Sequence, residues 1–213
     1  MTDTGIHPNG VRHVIHLPNE LLAIIINEIA SDYRTLANLA SCRLVSHIFR
    51  SLATPFFFSS IRLTDNHSPS SYESRIIAIR KRAANLEQIL TVHDIAVLVH
   101  TLTVRWPKSD LLSRRNGTVV SNLIHRLPYL RHFTLESVTL SVEFFLLSRD
   151  FSSAIQALCR SPHLRTLDLR YIYNFPLAAI TSCPNLHQLC LTGVTFRVNL
   201  ILPTIFPMAN PTL

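Results

Sequence analysis

Apolar residues at positions 17, 21, 22, 25, 26 and 29 advance in steps of 4, 1, 3, 1 and 3, one stripe along an α-helix. Pro18 stands just inside its start, where a missing N–H costs nothing. Ser31-Asp32 breaks the run. A second short helix is predicted from near Thr35, with Leu36 and Leu39 apolar. A third is predicted over about 43–53, with Leu44, Val45, Ile48, Phe49 and Leu52 on one side. Pro55 is expected to end it, because the residue before a proline is pushed out of helical geometry. Three helices this short cannot bury all these side chains among themselves. Part of the stripe must therefore face the rest of the chain or a partner.

After Pro55 the texture changes. Five runs fit one template, apolar-x-x-apolar-x-apolar: Phe58–Leu63, Val99–Val104, Leu130–Leu135, Leu164–Leu169 and Leu186–Leu191. Their cores have period two, so each predicts a short strand with alternate faces. The runs follow one another at steps of 41, 31, 34 and 22 residues. Helical patterns occupy 72–90, 118–127 and 151–160. Leu127-Pro128-Tyr129, Ser161-Pro162-His163 and Cys183-Pro184-Asn185 then separate helix from strand, since proline stops a helix running on. Strand and helix alternating at this spacing predicts a solenoid. The runs resemble leucine-rich repeats of irregular length, most clearly at Pro162–Leu169 and Pro184–Leu191. The expected fold class is α/β: three N-terminal helices, then a leucine-rich-repeat-like solenoid with a parallel sheet of about five strands. A doubly wound α/β domain is the competing architecture, and the chain lacks its glycine-rich loop.

The period assigns the faces. Leucines point into the core, and the residues between them line an exposed concave sheet. Those are Ser60, Arg62 and Thr64; Thr101, Thr103 and Arg105; His132, Thr134 and Glu136; Thr166, Asp168 and Arg170; Gln188, Cys190 and Thr192. The mixture of charges and hydroxyls suits a polar protein or peptide surface. Arg62, Arg105, His132, Glu136, Asp168, Arg170 and Gln188 are the candidate substrate-binding residues. The bland alternative is a solvated face. The tail Pro207–Leu213, short and apolar, reads as an improvised cap or a shortened array.

Composition narrows the chemistry. Of 213 residues only 15% are charged and 47% are hydrophobic, ample to offset chain entropy. The four glycines fall in no GxGxxG, GxxxxGK[ST] or GxSxG pattern, so no nucleotide or nucleophile-elbow fingerprint is present. No apolar run approaches the roughly 20 residues a bilayer needs. Residues 1–16 read as a polar, flexible lead-in without signal-peptide character, pointing to cytoplasm or nucleus. Cys42, Cys159, Cys183 and Cys190 form no CxxC and are expected to be free thiols. Cys183, His187 and Cys190 tempt a zinc assignment but supply three ligands where a structural site takes four. The eleven histidines are scattered singly. No metal, cofactor or enzymatic activity is expected. The net charge of +7 concentrates in 75–115, at Arg75, Arg80, Lys81, Arg82, Arg105, Lys108, Arg114 and Arg115. Only Trp106 offers a stacking aromatic there, so a solvated basic face is expected rather than a nucleic-acid site.

The N-terminal helices carry a more specific signal. Leu17-Pro18-Asn19-Glu20-Leu21-Leu22, Ile25-Ile26 and Ile29, then Leu36 and Leu39, then Val45-Ser46-His47-Ile48-Phe49 resemble the F-box, in the form common in large fungal families. The resemblance covers 17–54 and the Pro-Phe-Phe-Phe-Ser-Ser-Ile-Arg-Leu stretch after it. Ser46, His47 and Phe49 depart from the family's Cys, Lys/Arg and Trp. The resemblance implies a docking module for a Skp-type adaptor of a cullin-RING (SCF-type) ubiquitin ligase. Leu17, Pro18, Leu21, Leu22, Ile25, Ile26, Leu36, Leu39, Leu44, Val45 and Phe49 would form or support that contact. The remainder, 55–213, would present an unknown protein substrate. The alternative is a non-catalytic leucine-rich-repeat interaction module that binds no adaptor. Neither nucleic acid nor membrane is an expected partner.

Overall fold

The computed structural model describes residues 17–31, 35–64, 72–92, 94–106, 114–137 and 142–197. The lead-in 1–16 and the tail beyond Arg197 lie outside them. The chain divides into two compact units, Met1–Phe57 and Phe58–Leu213.

The first unit holds α1 (Asn19–Ser31), α2 (Thr35–Val45) and α3, which begins at His47 and ends at Phe58. The Pro18 carbonyl accepts from the Leu21 and Leu22 N–H groups at 3.1 and 3.2 Å and so starts α1. The run expected over 43–53 divides at Ser46. Its hydroxyl accepts from the Phe49 N–H at 3.3 Å and its carbonyl from Arg50 N–H at 2.9 Å. That is an N-cap. Leu44 and Val45 therefore close α2 rather than open α3. Pro55 does not end α3, which continues to Phe58. Proline there removes the bond to the Ser51 carbonyl and crowds that group with its ring, but both residues lie on the exposed side, where the carbonyl can tilt outward and solvent can satisfy it. Among the described residues the core cluster of this unit is small: Ile26, Leu39 and Ala53, with Ile29, Phe49, Leu52 and Phe57 packed around them; Leu22 is also buried. The Arg43 guanidinium lies 4.7 Å from the centre of the Phe57 ring and ties α2 to α3.

The second unit is mixed α/β around a five-stranded parallel sheet. The strands are β1 (Ser60–Leu63), β2 (Thr101–Trp106), β3 (His132–Ser137), β5 (Thr166–Arg170) and β8 (Gln188–Thr192), side by side in chain order. Register partners such as Ser60 and Thr101, Thr101 and His132, His132 and Thr166, and Thr166 and Gln188 reproduce the expected steps of 41, 31, 34 and 22 residues. Ile61, Leu63, Leu102, Val104, Phe133, Leu135, Leu167 and Leu169 point to one face and are buried. The first apolar residue of three runs, Val99, Leu130 and Leu164, is fully buried in the turn before its strand.

α4 (Tyr72–Val92), α5 (Arg114–His125), α6 (Arg149–Cys159) and the one-turn α7 (Leu177–Thr181) connect the strands. α5 starts four residues earlier than its pattern predicts, and α6 two. The Ser148 hydroxyl caps α6 by accepting from Phe151 N–H at 3.2 Å. Val120, Leu123 and Ile124 of α5 and Phe151, Ala154, Ile155 and Leu158 of α6 complete the core against the strand leucines. Two short parallel ladders, β4 (Val142–Glu143) with β6 (Ile172–Tyr173) and β7 (Phe175–Pro176) with β9 (Phe196–Arg197), lie outside the main sheet. Neither they nor α7 were expected, because two to five residues carry no readable period. The proline turns stack as the strands do. Tyr129 meets His163 edge to face at 5.0 Å, and the Asn185 side chain donates to the Pro162 carbonyl at 2.7 Å. Tyr171 and Gly193, each one residue past a strand, both take positive φ, 58° and 60°.

Candidate functional site

Two surfaces emerge, one on each unit. On α1 the apolar positions divide into two rows about 100° apart, one residue's rotation. Leu22, Ile26 and Ile29 turn inward, with Leu22 and Ile26 buried. Leu17, Leu21 and Ile25, joined by Ile24, turn outward and are exposed, as is Pro18. The α2–α3 junction adds Leu44, 82% exposed, with Val45 and Ile48. Leu39 is core and Phe49 half-buried against it. Leu36 lies in α2, and its side chain is outside the described residues. Of the eleven predicted docking residues, Leu17, Pro18, Leu21, Ile25, Leu44 and Val45 thus present themselves, while Leu22, Ile26, Leu39 and Phe49 hold the helices together. Ile24 and Ile48, outside those eleven, join the exposed set. A hollow of about 380 Å³ between α1 and α3, lined by Ile24, Asn27, Leu52 and Phe56 among others, lies beside this surface. Leaving so many aliphatics in water is costly, at roughly 25 cal/mol per Å² of apolar surface. The few buried side chains among the described residues contribute little to offset that cost.

On the second unit every expected face residue within the sheet stands opposite the leucines, and none is buried. They align in rows across the strands. One row is Ser60, Thr101, His132, Thr166 and Gln188; the next is Arg62, Thr103, Thr134, Asp168 and Cys190. The last contains Arg105, Glu136, Arg170 and Thr192. Arg105 and Glu136 pair across neighbouring strands at 3.4 Å. Arg170 grips Asp168 with two nitrogens, Nε at 3.1 Å from Oδ1 and Nη2 at 2.7 Å from Oδ2. The two-point grip of Arg170 on Asp168 orients its guanidinium plane, whereas the single contact of Arg105 with Glu136 leaves that side chain freer.

A further row was missed. The residue immediately before each later strand is His100, Arg131, Arg165 or His187. Successive backbone bonds stack them: Arg131 N–H to His100 O, Arg165 N–H to Arg131 O and His187 N–H to Arg165 O, each 2.8 Å. The signal was available as the second position of the repeated template, which the emphasis on alternating strand residues passes over. Of the basic segment 75–115, Lys81 and Arg82 are exposed on α4, whereas Lys108 and the side chains of Arg75, Arg80, Arg114 and Arg115 lie outside the described residues.

His100 is held below the ordinary histidine pKa of 6.5, by burial first and then by the Arg131 charge, with His132 adding to it. A depressed histidine binds its proton less readily folded than unfolded. Its contribution to stability is therefore full above pH 6.5 and is lost as the pH falls below that value. Urea midpoints should fall between about pH 7.5 and 5.5, and His100→Gln should flatten part of that fall. Identical pH profiles for both proteins would remove His100 as the source.

Among the described residues no group of three or more His, Cys, Asp or Glu could hold a metal ion, and no helix is long and apolar enough to cross a membrane. The His187 Nδ1 lies 2.6 Å from the Asn185 carbonyl of its own turn. Cys159 is fully buried in the core. Burial pushes its thiol far above the ordinary range, and the adjacent Cys183, to which it hydrogen-bonds, pushes it further. Burial also raises Cys183, whose thiol donates to the Ala179 carbonyl at 3.4 Å. Iodoacetamide at about pH 8 should leave Cys159 unlabelled until urea unfolds the chain, because the thiolate is the reacting species. Labelling of Cys159 in the folded protein, read by mass spectrometry, would contradict this placement. No family model matches the chain, and no curated protein matches it.

Proposed function

We propose that this chain is the substrate-receptor subunit of an SCF-type cullin-RING ubiquitin ligase. The helices 17–54 act as its F-box and dock a Skp-type adaptor. The second unit is a leucine-rich-repeat-like solenoid that binds a protein target through its sheet face. The observation that carries this is the outward apolar row of α1, together with Leu44, Val45 and Ile48, on a unit whose buried apolar side chains, among the described residues, are Leu22, Ile26, Leu39 and Ala53. Such a surface is stabilised by a partner that buries it. Support for the solenoid comes from strand order that follows chain order in one parallel sheet, which lets every connection cross the same side.

The face and the His100–Arg131–Arg165–His187 row favour an acidic or hydroxyl-rich segment as target. No residue of this chain does chemistry. It raises the local concentration of target beside a ubiquitin-loaded subunit, and positioning supplies the acceleration. Cytoplasm and nucleus are where such a ligase subunit works.

Co-purification of the tagged full chain with a Skp-type adaptor is the direct test. Capture of the wild type, with better soluble yield on co-expression, is the expected result. Absence of capture from soluble, folded protein would leave a repeat-type interaction module without an adaptor.

A further inference from the structure

The two edges of the sheet differ. At β1 the core-facing Ile61 and Leu63 are buried, and Arg62 breaks the apolar character of the strand. At β8 the core-facing Leu189 and Leu191 are 40% and 41% exposed, although their register partners Leu167 and Leu169 are at 0%. β8 also carries no charge and no proline, the common devices that keep an edge strand from pairing.

The backbone of β8 is set for pairing. Gln188 N–H donates to the Arg165 carbonyl at 3.0 Å, and the Thr192 carbonyl accepts from Tyr171 N–H at 2.7 Å. Alternation along the ladder turns the amides of Gln188, Cys190 and Thr192 toward β5. The N–H and C=O groups of Leu189 and Leu191 are left pointing away from β5, to an edge where no strand pairs with β8 among the described residues. The strand reads Gln-Leu-Cys-Leu-Thr, polar–Leu–Cys–Leu–polar in either direction.

We infer that β8 joins two copies of this chain, antiparallel about a twofold axis midway between the two Cys190 residues. In that register Leu189 faces Leu191 of the partner subunit, and each pair exchanges two hydrogen bonds, four in all. Both leucine pairs lie on the core side and cover one another. Gln188 meets Thr192 of the partner subunit on the polar side, and no charge meets its own image. Leucine meeting leucine, with no charge on the strand, makes β8 complementary to its own image, as an isologous interface requires. A different protein adding a strand would need no such symmetry. With five residues a side the contact is small, so a dissociation constant of roughly micromolar order is expected.

Cys190 sits opposite Cys190 of the partner subunit at a non-hydrogen-bonded position, where α-carbons lie about 4.5 Å apart, within disulfide reach. The test uses the full chain. Light scattering and sedimentation should show a monomer–dimer equilibrium between about 1 and 200 µM. Leu191→Lys should weaken the dimer at least tenfold with unchanged circular dichroism, because this side chain is substantially exposed. Copper-phenanthroline should then join the two Cys190 thiols. Each loses a proton and an electron to the oxidant, and one S–S bond forms. Cys190→Ser should abolish the crosslink and leave the dimer. A monomer at 200 µM, a dimer indifferent to Leu191→Lys, or a crosslink through Cys42 or Cys183 would overturn the inference. The inference does not depend on adaptor binding, which Leu191→Lys should leave intact.

Discussion

A Leu17→Ala/Pro18→Ala/Leu21→Ala variant is expected to lose adaptor capture outright while keeping its fold. All three side chains are exposed, so their truncation empties no cavity in the small core. The Pro18 carbonyl that starts α1 is a backbone group and survives the change. Apolar residues at the centre of a packed interface typically cost about 1–3 kcal/mol each when cut to alanine. Three together take roughly a thousandfold from the affinity, enough to empty a pull-down. The contrast with the inward row matters. Truncating Leu22, Ile26 or Leu39 would lose capture by unfolding the unit, which says nothing about docking. Circular dichroism and a thermal melt on the triple variant separate the two causes. Full capture by a folded triple variant would eliminate the docking role of α1.

Gly117→Ala should destabilise the second unit by about 2 kcal/mol. α5 and α6 pack closely at this residue. A methyl group there would overlap the Ser148 Oγ, lie 2.8 Å from the Ser148 Cβ and press on Phe151 Cβ at 3.4 Å. Ser148 is buried and cannot simply swing into solvent. Relief requires either moving the helices apart or abandoning the α6 cap. Overpacking costs about 1–3 kcal/mol and a lost cap about 1. Alanine returns about 1 kcal/mol through its better helix propensity. The net figure corresponds to a fall in Tm of about 4–8 °C for a unit of this size. Ser148→Gly should rescue much of the loss in the double variant, because it removes both clashing atoms, although it weakens the cap. A Gly117→Ala protein as stable as wild type would show that the helix pair yields at no cost.

Much of the second unit was legible because its pattern is local. The alternation at Leu102 and Val104 or Leu167 and Leu169 sets which face each strand buries. The recurrence of the template sets the register, and the ladder offsets match the spacing residue for residue. Ser46 was legible only as a departure from a family motif, whereas in the fold it caps α3. Pro55 was misread because the rule for the residue before a proline weighs local sterics alone. The exposed side of the last turn, where Pro55 lies, tolerates the lost hydrogen bond.

Periodicity by itself determined that this chain makes three short amphipathic helices, then strands that bury one face and display the other in a fixed order. Side-chain alternation and helical rotation are properties of the backbone, so they can be read without a partner element. Tertiary structure alone decided which apolar residues of α1 are core and which are surface. It also decided that His100, Arg131, Arg165 and His187 stack, that Cys159 meets Cys183, and that β8 is left with half-exposed leucines. Each of these depends on what comes to lie against a residue from a distant part of the chain, and a local pattern carries no record of that.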